Sequence, residues 1–263
     1  LFESGSTVGM FQPMAKKAKK KPKLRPKHFA KVYEQFQASI SRYDCGKRCA
    51  PLNGGDPVCC TTDAAVPIAH DSEWRLLKGR TDLWHPFKPF DAATRDIVEE
   101  MSSDCRAIEC KGARFCERDN RTLACRAFPF FAYVTREGDF LGLGYFWVFE
   151  DRCWVISNLR VVNRRFVKEF VEAHEYLFEN DPQEKEYARE QSAAARRVFS
   201  RWNRPFPLIG RDGGYFKVLP HGGGVVKARL SEFRAHGPYK SEAAYRKAVK
   251  EEEAARLRTQ RAS

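Results

Sequence analysis

The sequence predicts an α+β fold in which cysteine-rich loops pack between helices and a small antiparallel sheet. Three observations predict it. Aromatic residues flank a glycine turn between 130 and 149, two helical stretches follow over 163–202, and eight of nine cysteines fall in two glycine- and proline-punctuated segments. A hydrophobic share of 43%, with 20 Phe, is enough to bury a bulky core. That content excludes a chain disordered throughout. The longest apolar run, Leu141 to Phe149, is about half the roughly 20 residues a bilayer-spanning helix needs, so no membrane partner is expected.

The elements follow in order. Phe29, Val32, Tyr33, Phe36 and Ile40 recur at helical spacing and predict an amphipathic helix over 29–42. Residues 43–63 have loop composition, with Pro51, Gly54, Gly55 and Pro57 among the cysteines. Asp91 is placed to cap a short helix over 92–102, and a second cysteine segment fills 104–127. Phe130–Val134 and Phe140–Phe149 are the arms of a hairpin that turns at Glu137-Gly138-Asp139. Cys153–Ile156 reads as a further short strand, Asn163–Asn180 as a helix with a wide apolar face, and Pro182–Trp202 as its neighbour. Glycine turns at 213–214 and 222–224 divide Phe206–Leu230 into another small hairpin, and Ser241 caps a last charged helix to about Arg258. The expected organisation is a disordered basic leader over 1–28, a cysteine-cluster domain over 29–160, and a helical and hairpin extension over 161–263 packed on it.

The net charge is +13, and nine cations with no acid between them stand at 16–31. Residues 1–13 are small, polar and unpatterned and are set aside from the fold. A lysine run of this kind is a solvated tail, or an arm that binds RNA or a ribosome surface by counterion release. No aromatic is interleaved before Phe29, so base stacking is not indicated. No apolar stretch follows the run as it would in a secretory signal, and the expected compartment is the cytoplasm.

Most of the chemical information is in the cysteines, at 45, 49, 59, 60, 105, 110, 116, 125 and 153. An odd count without a secretion signal argues against a disulfide framework, and adjacent Cys59 and Cys60 would bridge only in a strained ring. Buried free thiols suit Cys105 and Cys153, but not four cysteines in sixteen loop-like positions. Metal binding is the expected role. Cys45 and Cys49 make one pincer and Cys59 or Cys60 a third donor, since neighbours rarely both reach one ion. Cys110, Cys116 and Cys125 bring the chain back for a fourth. All-thiolate donation suits tetrahedral zinc or an iron–sulfur cluster.

The run Tyr43-Asp44-Cys45, Cys49, the Cys59-Cys60 doublet, Cys110, Cys116 and Cys125-Arg126-Ala127-Phe128-Pro129-Phe130 resembles the YkgJ-type cysteine-cluster family, a zinc- or iron-chelating domain. The family closes its cluster with Cys-Arg-x-aromatic-Pro about nine residues after another Cys, and Cys116 to Phe128-Pro129 is similar to that. The first motif here is instead C-x3-C-x9-CC, and the family's Arg-Pro before the last Cys is replaced by Asn120 to Ala124. The likeness covers roughly 43–153. It implies a metal held by these cysteines, and a related branch of cluster-bearing flagellin lysine methylases implies a cluster-dependent methylase-like reaction as an alternative.

Other signals are weaker. Arg126 is placed to offset thiolate charge or to pair at the surface. His221-Gly222-Gly223-Gly224 is a turn, because no G-x-S-x-G accompanies it. Gly142-Leu143-Gly144 lacks the dinucleotide-binding context, and His174 is a core histidine on an apolar helix face.

Overall fold

The computed structural model describes residues 24–233, apart from 51, 52, 54, 63 and 64, and scattered residues between 235 and 258. The fold is α+β, as expected. Its helices are α1 (Pro26–Gln35), α2 (Cys45–Cys49), α3 (Asp71–Lys78), α4 (Ala92–Glu100), α5 (Leu123–Ala127), α6 (Arg164–Asn180) and α7 (Pro182–Arg201). The strands are β1 (Ile68–His70), β2 (Trp84–Pro86), β3 (Cys105–Cys110), β4 (Phe130–Val134), β5 (Phe140–Tyr145), β6 (Phe206–Gly210), β7 (Tyr215–Val218) and β8 (Val225–Lys227).

Two antiparallel sheets result, β1-β3-β2 and β4-β5-β6-β7-β8. The predicted hairpin forms β4 and β5, with Phe130 opposite Tyr145. Strand β6 joins it by pairing Gly142 with Gly210 and Leu143 with Ile209. Gly142 has φ +144, and a Cβ there would lie 2.2 Å from the Ile209 carbonyl oxygen, so the glycine is what lets the two strands meet. The larger sheet therefore takes two strands from before residue 160 and three from after it. One hydrophobic cluster extends from Leu24 to Val218 across the same boundary.

Phe166, Phe170 and Leu177 of α6 and Ala194, Ala195 and Phe199 of α7 are buried in that cluster, as the apolar spacing requires. Asn163 and Asp181 cap the two helices, accepting from the Arg165 and Gln183 amides. His174 stacks on Phe170 at 4.0 Å with Nδ1 2.8 Å from the Phe170 carbonyl, and burial pushes its pKa down to about 4. The His221 turn closes the β7–β8 hairpin.

Several expectations are corrected. Leu24 to His28 belong to the fold: Leu24 is 1% exposed and Pro26 opens α1. The rest of the leader, with most of its lysines, lies outside the described residues. The first helix ends at Gln35, not 42, because the Glu169 carboxylate of α6 accepts the amides of Gln37 (2.8 Å) and Ala38 (2.5 Å) and draws the chain off the helical path. Cys153–Ile156 is not a strand; Cys153 turns back onto the Phe149 carbonyl at 2.7 Å, and 3₁₀ turns follow over Ile156–Val161. The cysteine segments are not loops throughout, since Cys45, Cys49 and Cys125 lie on short helices and Cys105 and Cys110 end a strand. The last charged helix falls largely outside the described residues, although the Ser241 hydroxyl accepts the Ala244 amide.

Arg126 has neither expected role. It is 6% exposed and donates to the carbonyls of Arg121 (3.0 Å), Phe36 (2.7 Å) and Asp119 (2.6 Å), with its guanidinium 4.3 Å from the Tyr33 ring. The Tyr33 hydroxyl donates to Glu73 of α3 at 2.6 Å, and the same Glu73 oxygen accepts the Leu123 amide at 2.6 Å. One buried network thus binds α1, α3 and α5.

Arg126→Ala leaves three carbonyls without their donor and should destabilise the protein by about 3–5 kcal/mol in a urea titration. Arg126→Lys should recover little of that, because an ammonium cannot reproduce the planar fork.

Burial raises the Glu73 carboxyl to about 7. A raised carboxyl supports the fold fully below the unfolded value of 4.5, and that support is lost as pH rises through about 7. The Glu73 contribution to wild-type Tm should therefore fall between about pH 4.5 and 7, and Glu73→Gln should remove that fall, by about 2–4 °C for each kcal/mol involved.

Candidate metal centre

The position of each cysteine follows from its local element. Asp44 caps α2 by accepting the Lys47 amide, and the i, i+4 spacing puts Cys45 and Cys49 on one helix face. Arg48 between them is buried with its guanidinium 4.2 Å from the Trp154 ring, which fixes α2 against the core. A 3₁₀ turn over Val58–Cys60 presents the doublet. Buried Thr122 caps α5 by accepting the Cys125 amide at 3.0 Å, and the Glu73 carboxylate holds the Leu123 amide beside it.

Strand β3 separates its two cysteines. They stand five positions apart, an odd number, so their side chains leave opposite faces of the strand about 17 Å from each other. Cys110 joins the other candidate ligands and Cys105 does not. After Cys110 the chain turns at Gly112 (φ +101), whose amide donates to the Cys110 sulfur at 3.4 Å, and Cys116 is returned to the same side.

Cys59, Cys60, Cys110, Cys116 and Cys125 line one cavity of about 330 Å³, walled elsewhere by Ala65, Pro67, Leu83, Trp84 and Ala113. Cys45 and Cys49 lie beside it. Cys60 is the common neighbour: negative charge on it would raise the pKa of each of the other six, Cys45, Cys49, Cys59, Cys110, Cys116 and Cys125. Desolvation is the larger cause for most of them, taking Cys45 to about 11 and Cys125 to about 12. Cys60 itself is lowered, chiefly by the hydrogen bond from Cys59 and also by Arg121.

Both members of the doublet line the cavity. Their sulfurs are 3.8 Å apart, far beyond a disulfide bond of about 2.05 Å. Two thiolates sharing a tetrahedral ion at about 2.3 Å would also stand roughly 3.8 Å apart. All nine cysteines are free. Among the described residues no group of three or more His, Cys, Asp or Glu side chains is closed around a point that would hold an ion. The thiols converge on the cavity without contracting onto a centre.

The donor set fits a thiophilic metal. Glu109, Lys111 and Arg121 are the charged residues that line the cavity. Arg121 lowers the cost of charging Cys60, Cys116 and Cys125, the role the sequence assigned to Arg126. Trp84 is 2% exposed, and its indole donates to the Asn120 carbonyl at 2.8 Å, closing the wall behind Cys110. Arg121 carries no local signal that marks it for the site; only the tertiary fold brings it there. Cys153 is buried and does not line the cavity, and Cys105 lines a different one.

Compared with family models, curated proteins and solved structures, the chain matches none. No described helix is long and apolar enough to cross a membrane.

Exposure ranks the thiols of the metal-free protein. Cys116 is exposed whereas Cys49 and Cys153 are buried, so maleimide should alkylate Cys116 before those two, by at least about tenfold in rate. Peptide mass spectrometry of a time course reads the order.

Proposed function

We propose that this protein is a metal-binding protein whose centre is an iron–sulfur cluster held by cysteines on the walls of the thiol cavity. Cys59, Cys60, Cys110, Cys116 and Cys125 are the proposed ligand pool, with Cys45 and Cys49 as the adjoining pair. The observation that supports this best is that five cysteines from separate segments, the 58–60 turn, the end of β3 with the turn after it, and α5, line one cavity.

The choice of cluster over single ion rests on volume and number. A lone zinc with thiolates at about 2.3 Å leaves no void between its ligands and takes only four. A polynuclear cluster brings its own sulfides and fills a space between the cysteines. About 330 Å³ lined by five thiols suits the second case. When bound, such a group supplies one-electron chemistry, and its binding free energy adds to folding. The resemblance to the YkgJ-type family supports the same reading, and a cytoplasmic location is consistent with it, since thiols stay reduced there.

Protein purified without oxygen should be brown, with absorbance near about 400 nm and iron and acid-labile sulfide in similar amounts. Stoichiometric zinc in a colourless protein would overturn the cluster. Cys60→Ser and Cys125→Ser should lose the absorbance and lower Tm, whereas Cys105→Ser should keep both. Equal metal content in all three variants would overturn the ligand assignment.

A further inference from the structure

A second cavity lies on the other side of α5. It has a volume of about 120 Å³ and is lined mainly by apolar side chains, including Phe29, Phe130, Phe131, Phe146 and Phe178. Leu123, Ala124 and Ala127 form its α5 wall, while Cys125 of the same helix faces the thiol cavity. A cavity of this size takes a molecule of about six non-hydrogen atoms; an engineered apolar cavity of roughly 150 Å³ holds benzene.

Its polar end is not that of an ordinary core void. Glu184, in the first turn of α7, is half-buried and lines the cavity. Among the described residues its carboxyl has no hydrogen-bond donor and no cation. The charges it feels are those of Asp104, Asp181 and Glu73, all acidic. His70 lines the same wall at 6% exposure. Its Nδ1 accepts the Ser72 amide at 3.0 Å, so the neutral ring carries its proton on Nε2. That nitrogen makes no hydrogen bond, and Asp104 stands 3.9 Å away. Burial lowers the His70 pKa, so the ring adds no positive charge to the site.

An apolar chamber with an unpaired carboxyl and a negative field at one end lacks a cation of its own. Burial and the neighbouring acids raise the Glu184 carboxyl to about 8, so it is mostly protonated in the empty chamber at pH 7 and ionises when a cationic donor arrives with the ligand. The aromatic walls suit the hydrocarbon part of such a ligand. We propose that this cavity is a binding site for a small apolar amine. The ammonium is held by the Glu184 carboxylate, and the hydrocarbon part lies among the phenylalanines. The site is separate from the thiol centre and does not depend on the metal assignment.

Cyclopentylamine, protonated at neutral pH, and its neutral analogue cyclopentanol match the chamber in size and differ in charge. Calorimetric titration of the full chain should show cyclopentylamine binding at least about tenfold tighter than cyclopentanol. Glu184→Gln should reduce the amine to the affinity of the alcohol while keeping Tm at or above the wild-type value. Ala188→Leu, which fills the chamber, should abolish binding of both. Metal content should not change in either variant. Equal affinity for the two probes, binding of neither, or amine binding undiminished in Glu184→Gln would overturn the proposal.

Discussion

The guanidinium of Arg126 is the constraint on which the arrangement of the thiol centre rests. It ties the carbonyl at the end of α1 to those of the 119–121 turn while lying against Tyr33, whose hydroxyl engages Glu73. Glu73 in turn holds the first amide of α5. A five-residue helix has almost no stability of its own. Its position, and with it that of Cys125, is imposed by this buried chain of charge-assisted hydrogen bonds. The same chain places Arg121 near the thiols, so the positive charge that assists them is set by a neighbour that never touches sulfur.

Legibility followed range. The β4–β5 hairpin and helices α6 and α7 were readable because their periodicity is local and long enough to count. The sheet β1-β3-β2 was not, because two of its strands have three residues and carry no period. The first helix was read too long because the event that ends it, capture of Gln37 and Ala38 by Glu169, comes from more than 130 residues away.

The candidate site was legible as a set of residues but not as an arrangement. Cysteine clustering named the seven thiols, and strand parity explains why Cys105 stands apart from Cys110. A loop over 104–127, which its composition predicts, has no such parity. The second role given to Arg126, and the doubt over Cys59 against Cys60, were both questions of direction. Spacing along a chain does not encode side-chain direction outside a known helix or strand. Glu184 and Glu73 gave no signal at all, since a buried acid reads in sequence like any other charged helix position.

Helix α5 is a partition one helix thick, with sulfur chemistry on one side and an aromatic chamber on the other. A wall this thin has no interior to absorb a change, so a bulkier residue at Ala124 or Ala127 intrudes on the chamber while Cys125 is carried along with the backbone. The two compartments therefore share one set of tolerances, and substitutions in either constrain which residues the other can accept.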